Sequence, residues 1–184
     1  MKELKEEKTV IRVKIKKILS HVSVKDKQKA DLRILENVLS RAEIIPSQTV
    51  CTYVSFNKEV DTKQLIERLL EIGKTVVVPK ITEDGLVIHK LSSLDDLEAG
   101  HFGIPEPKNS CAVVAKFSVD LFIVPGIAFD RKGHRLGRGH GYYDKLLTGV
   151  TVPKIGLAYE CQVVAEVPHT SYDVPMTALV TEGD

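Results

Sequence analysis

The residues best suited to chemistry lie in one run, from Val124–Pro125–Gly126–Ile127–Ala128–Phe129–Asp130 to Arg135–Leu136–Gly137–Arg138–Gly139–His140–Gly141–Tyr142–Tyr143–Asp144. Glycines alternate at 137, 139 and 141, so the backbone has no Cβ where it would wrap a ligand most closely. Arg135 and Arg138 add fixed positive charge, and Tyr142–Leu147 reads as the opening turns of a helix. Successive N–H groups of such a loop, ending at a helix N-terminus, form a nest for anions and above all for phosphate. A plain glycine-rich connector between strand and helix is the competing account. The two arginines and the acid that follows favour phosphate.

Asp144 falls on the first turn after the loop. There it either complements the helix dipole or, beside a triphosphate, holds Mg²⁺, which prefers oxygen ligands shared with phosphate. Lys8 and Arg12 lie one helical turn apart and share a face. They flank the apolar stripe, so they either snorkel over a basic helix or reach an anion held by the domain below. Glu59 follows a predicted strand and lies outside the capping work open to Asp61 and Thr62. The six histidines show no His-x-x-x-His or His-Glu-x-x-His spacing, which leaves no zinc site to propose. His134 and His140 flank the glycine loop. Gly73–Lys74–Thr75 is no Walker A loop, because Arg68 stands where its first glycine belongs.

The elements that must position these residues follow from periodicity. Leu4, Ile11, Ile15, Ile18 and Leu19 form one helical stripe, and Leu32, Leu35, Val38 and Leu39 form a second after a cap at Ser23. Short β-rich runs then alternate with helical and turn segments. Strands are predicted at Thr49–Val54, Thr75–Pro79, Leu86–Leu91, Leu121–Val124, Lys154–Ala158 and Met176–Val180. A helix is predicted at Thr62–Leu70 with its stop at Gly73, and Gly100–Pro107 reads as a loop. This alternation predicts a single-domain layered α/β/α fold over residues 1–184, with a largely parallel central sheet and an N-terminal helical pair. The glycine loop then lies beyond the C-terminal end of Leu121–Val124, the edge where open α/β sheets bind ligands.

The net charge of +1 gives no global pull toward nucleic acid or anionic lipid. Only five Tyr and five Phe further weaken the case for an RNA-binding regulatory module. No apolar run is long enough to span a bilayer, and the Lys- and Glu-rich N-terminus lacks an apolar signal core. Three scattered cysteines, Cys51, Cys111 and Cys161, argue against a disulfide framework. A cytoplasmic enzyme acting on small molecules is expected, as a monomer or weak homo-oligomer.

The order Pro-Gly-x-x-Phe-Asp followed by Gly-x-Arg-Leu-Gly-x-Gly-x-Gly-Tyr-Tyr-Asp resembles the signature of the 5-formyltetrahydrofolate cyclo-ligases. It is carried by Pro125, Gly126, Phe129, Asp130, Gly133, Arg135, Leu136, Gly137, Gly139, Gly141, Tyr142, Tyr143 and Asp144. Val78–Pro79–Lys80, Gly103–Ile104–Pro105–Glu106–Pro107 and Tyr172–Asp173–Val174–Pro175–Met176 extend the likeness nearly end to end. Position 140 departs from it, since Lys or Gly is common there.

The resemblance implies ATP- and Mg²⁺-dependent cyclisation of 5-formyltetrahydrofolate to 5,10-methenyltetrahydrofolate. It implies ATP contacts from Lys8, Arg12 and the run Arg135, Leu136, Gly137, Arg138, Gly139, His140, Gly141, Tyr142 and Tyr143. Reduced folate would meet Val54, Glu59, Arg138, Gly139, His140, Gly141 and Tyr142, with Glu59 holding the pterin. Arg138 and Arg135 would stabilise the transferring phosphoryl group and Asp144 would carry Mg²⁺. A different ATP-using small-molecule kinase with the same cradle is the alternative.

Overall fold

The computed structural model describes residues 2–100 and 103–184. His101 and Phe102, inside the expected Gly100–Pro107 loop, lie outside the described residues. Helix α1 spans Lys2–His21 and α2 spans Val24–Leu39. Ser23 caps α2 as the sequence suggests, its side chain accepting from Asp26 N at 3.1 Å. On α1 the stripe buries Ile15 and Leu19, while Ile18 turns outward. The second stripe needs correction. The packed face of α2 runs through Ile34 and Val38, and Leu32 is exposed on the far side. At 100° per residue Leu32 stands well over 90° from Val38 around the wheel, so the two cannot share a face.

Among the described residues, seven strands form the main sheet in the order β11-β10-β7-β1-β2-β3-β6. They are β1 (Thr49–Cys51), β2 (Thr75–Thr82), β3 (Gly85–Leu91), β6 (Val113–Val114), β7 (Leu121–Val124), β10 (Lys154–Leu157) and β11 (Ala178–Val180). The pairs β1–β2, β1–β7, β7–β10 and β10–β11 are parallel; β2–β3 and β3–β6 are antiparallel. The largely parallel sheet of the sequence reading is therefore present, with an antiparallel margin.

Side chains alternate across the sheet, as strand geometry requires. Leu121 and Ile123 of β7 join the core with Ile15, Ile34 and Val38 of α1 and α2 and Leu65, Ile66 and Leu69 of α3 (Lys63–Glu71). Phe122 and Val124 join a second core with Phe129 and with Leu146 and Leu147 of α4 (Tyr142–Leu147). Helices thus cover both faces, three on one and the short α4 on the other. Each fully buried Leu, Ile or Phe contributes about 1.5–3 kcal/mol.

Two small hairpins were not anticipated. β4 (Leu97–Ala99) pairs with β5 (Pro105–Pro107), so the end of the expected Gly100–Pro107 loop is strand. Prolines at both ends of β5 hide this, because they donate nothing to a ladder. β8 (Ala128–Phe129) pairs with β9 (Arg135–Leu136) inside the signature run itself.

Candidate active site

The sheet order reverses beside β1, since β2 lies on one side of it and β7 on the other. Crevices at such a switch point, beyond the carboxyl ends of the strands, are where open α/β sheets bind ligands. The loop after β1 carries Glu59 and the loop after β7 leads to the three glycines, so both candidate segments face the same crevice.

The β8–β9 hairpin sets the position of the glycine loop. Its turn is built on the carboxylate of Asp130, which is fully buried. Oδ1 accepts from Lys132 N and His134 N, both at 3.0 Å, and Oδ2 from Val167 N and His134 Nδ1, both at 2.9 Å. Burial pushes this carboxyl up, but the bonds from Val167 and His134 outweigh it and hold it below its ordinary value. His134 stacks on His169 with centroids 3.6 Å apart.

On the second strand of the hairpin, Arg135 points inward. Its Nη2 donates to Asp144 Oδ1 at 3.0 Å and its Nη1 to Pro125 O at 3.3 Å, over the face of Tyr143. Its side chain is 4% exposed and, among the described residues, Nε finds no hydrogen-bond partner. Leu136 is a core residue. A Cβ on Gly137 would stand 2.8 Å from Arg135 Nη1, so the loop must be bare there to lie on the guanidinium. Gly139 has φ +106° and Gly141, heading α4, has φ +70°, backbone that a side chain would strain. α4 is only six residues long, so any anion affinity rests on the arginines and loop amides more than on a helix dipole.

Helix α1 crosses this loop. Arg12 Nε donates to Gly137 O at 2.9 Å, and its guanidinium lies along Gly139. Burial pulls the Arg12 guanidinium below its ordinary value, partly offset by Asp173. Lys8 Nζ pairs with Asp173 Oδ2 at 2.8 Å. Burial raises the Asp173 carboxyl, but Lys8 and the N–H and hydroxyl of Thr170 outweigh it and leave it lowered.

Across the crevice, Arg138 Nη2 donates to Glu59 Oε1 at 2.7 Å. Glu59 Oε2 accepts from Phe56 N at 3.0 Å. Val54 is packed in the core at the foot of this loop. His140 stacks on Tyr142 at 5.5 Å on the exposed rim. Asp144 Oδ1 also accepts from Val174 N at 3.1 Å, so the tail closes over the loop. Tyr143 is buried deeply enough to push its phenol well above the ordinary value.

The structure thus gathers Lys8, Arg12, Glu59, Arg135, Arg138, His140, Tyr142, Tyr143 and Asp144 around one crevice. Val54 and Leu136 stand beneath it, with their side chains in the core. Sequence reasoning gave the tail no chemistry, yet Asp173 and Val174 N contact two of the candidates. The signal was the placement of Tyr172–Asp173–Val174–Pro175–Met176 just before the last strand, at the same sheet edge.

The sequence model of the 5-formyltetrahydrofolate cyclo-ligase family matches residues 4–182. The chain belongs to that family. A 5-formyltetrahydrofolate cyclo-ligase from Haemophilus influenzae is 32% identical over 173 residues, covering 90% of this chain and 92% of that one. Its counterpart from Escherichia coli K12 is 34% identical over 145 residues, covering 75% and 80%. The solved structure of the Aquifex aeolicus 5,10-methenyltetrahydrofolate synthetase is 34% identical, covers 96% of this chain and 90% of its own, and superposes with a TM-score of 0.87. A synthetase of the same name from Mycoplasma pneumoniae, at 22% identity and a TM-score of 0.76, shares the fold.

The site must also be weighed against the groups that the family reading implies. Among the described residues no group of three or more His, Cys, Asp or Glu side chains is arranged to hold a metal ion. Mg²⁺ needs no cage of protein ligands alone, because it binds through one or two carboxylates and takes its other ligands from phosphate and water. A glycine loop with arginines on either side fits a polyphosphate.

Proposed function

We propose that this protein converts 5-formyltetrahydrofolate to 5,10-methenyltetrahydrofolate at the expense of ATP, releasing ADP and phosphate. One observation carries the reading: the bridge from Arg138 in the glycine loop to Glu59 in the facing loop. A phosphate-binding group and a carboxylate fit for a pterin edge stand within one bond of each other. Family membership supports the same substrates.

The formamide oxygen is a poor leaving group. It attacks the γ-phosphorus of ATP, the bond to ADP breaks, and the formyl carbon becomes electrophilic. The folate N10 then attacks that carbon and loses its proton, and the C–O bond breaks to release phosphate. Phosphoryl transfer asks the protein for positioning and charge neutralisation more than for a nucleophile. Arg138 is the exposed cation at the meeting point. Arg12 and Lys8 bring α1 to the phosphate side, and Arg135 steadies the loop from below. Glu59 accepts hydrogen bonds from the pterin edge. Tyr142 and His140 line the rim, and the main-chain N–H groups of residues 136–141 face the phosphates. Asp144 is the residue that would hold Mg²⁺, which when bound neutralises charge on the phosphates.

The protein acts on two small molecules, with no nucleic acid or membrane partner, as a cytoplasmic monomer or weak homo-oligomer. The near-neutral charge and three free cysteines support this. The test is direct. Protein, 5-formyltetrahydrofolate and Mg-ATP together should produce the methenyl chromophore, and omission of any one should abolish it. ATP consumption without the chromophore would instead indicate a kinase.

A further inference from the structure

The loop bearing Glu59 is held from behind by residues that the reaction above does not use. Between β1 and α3 the chain turns at Asn57, with φ +56°, and directs the Glu59 carboxylate toward Arg138. The flanking backbone faces the other way. Asp61 N donates to Asp31 Oδ1 at 3.0 Å, and the Tyr159 hydroxyl donates to the same oxygen at 2.6 Å. Tyr159 Oη also lies 3.2 Å from Glu59 O. A phenol has one proton to give, so the short bond to the carboxylate takes most of it and the longer contact shares the rest. Asp31 Oδ2 is neutralised by Lys27 Nζ at 2.7 Å.

Three separate segments meet here: α2 through Asp31, the turn that follows β10 through Tyr159, and the loop itself. Tyr159 is 3% exposed. Packing alone would be served equally well by Phe, which would bury no hydroxyl and need no partner. The hydroxyl and the partly buried Asp31 carboxylate therefore do something packing does not. They fix the two peptide groups on either side of the loop residue that faces the substrate.

We propose that Asp31 and Tyr159 are positioning residues of the folate subsite, holding the 59–61 backbone so that the Glu59 carboxylate stands where a pterin edge can meet it. This rests on the assignment of Glu59 above. Misplacing a paired acceptor by about 1 Å is enough to cost most of its hydrogen bond. The effect belongs to the folate and not to ATP, because the side-chain bonds of Asp31 and Tyr159 run to the 59–61 backbone, to each other and to Lys27 of α2.

The test uses Tyr159→Phe, which keeps the ring, and Asp31→Ala. Calorimetric titrations with 5-formyltetrahydrofolate and with ATP are run separately, beside steady-state kinetics. Tyr159→Phe is expected to raise both Kd and KM for the folate about three- to tenfold, the loss of one buried hydrogen bond. Its ATP affinity and its kcat at saturating folate stay at the parent's values. Exchange of the Asp61 amide should quicken about tenfold in Asp31→Ala, which removes the acceptor altogether. Equal folate affinity in parent and Tyr159→Phe overturns the proposal, as does a parallel loss of ATP and folate affinity. A parent that does not bind the folate at all removes the Glu59 assignment, and the proposal with it. A parent that binds while the variant matches it removes the proposal alone.

Discussion

Arg138 and Glu59 form an ion pair of 2.7 Å across the crevice, although 79 residues separate them in the chain. Each is the group that one of the two substrates would claim, so binding one ligand should release the partner of the other. Glu59→Gln should therefore weaken folate binding, since an amide can donate where a carboxylate only accepts. ATP affinity should hold or rise, because Arg138 is freed. Separate calorimetric titrations decide this. A fall in ATP affinity as large as that for folate would take Glu59 out of the folate subsite.

The two arginines of the signature should behave differently. Arg138 is half exposed, so Arg138→Ala is expected to leave the melting temperature nearly unchanged. It should lower kcat about 100-fold, the cost of one donor to a developing charge, roughly 3 kcal/mol. Arg135 is buried against Asp144, Pro125 O and Tyr143. Removing it strands part of the Asp144 carboxylate and leaves a hole under Gly137. Arg135→Ala should cost about 2–3 kcal/mol of stability, roughly 5–10 °C in melting temperature. Thermal melts run beside turnover assays separate the two behaviours.

The parts of this design visible in sequence are those whose signal is local. Ser23 caps a helix with its own side chain, and glycines at 137, 139 and 141 interleaved with Arg135 and Arg138 mark a ligand loop without any tertiary information. The α2 stripe was misjudged because Leu32 is as apolar as Ile34, and only the sheet's position decides which of them faces inward. The β8–β9 hairpin was hidden because its pairs are set by Asp130, a carboxylate whose partners include Val167 N from a distant segment. Asp173 and Tyr159 were missed for the same reason. Each acts on a residue more than 90 positions away, Lys8 at a separation of 165 and Glu59 O at 100.

Asp130 should make itself felt in acid. Its carboxyl lies below the ordinary 3.8 in the folded protein, so the unfolded chain takes up the proton first as the pH falls. The stability it contributes is complete above pH 3.8 and is lost as the pH drops further, through the lowered folded-state value. Asp130→Asn replaces an acceptor-only group with one that also donates, facing N–H groups it cannot satisfy. The variant should be about 2–3 kcal/mol less stable near neutrality. Its deficit should narrow below about pH 4, where the parent begins to lose the same contribution. Denaturant titrations of both proteins between neutrality and pH 3 check this. A deficit independent of pH would mean that the carboxylate's charge contributes nothing.

Asp144 gives the sharpest separation between a structural and a metal-binding role. Its Oδ1 accepts from Arg135 Nη2 and Val174 N. Asn can present its own oxygen to both donors, so Asp144→Asn should keep the loop in place at a modest cost of about 1–2 kcal/mol. A hard cation is less forgiving, because a charged oxygen ligand becomes a neutral one. If Asp144 holds Mg²⁺ against the phosphates, the Mg²⁺ concentration for half-maximal rate shifts upward in the variant while excess Mg²⁺ restores part of the rate. If the carboxylate serves only Arg135 and the tail, the Mg²⁺ curve keeps its midpoint and only the melting temperature falls. One Mg²⁺ titration of parent and variant, at fixed ATP and folate, distinguishes them. The upward shift is the expected result, because both of those bonds use Oδ1 and Oδ2 is the oxygen a hard cation would take.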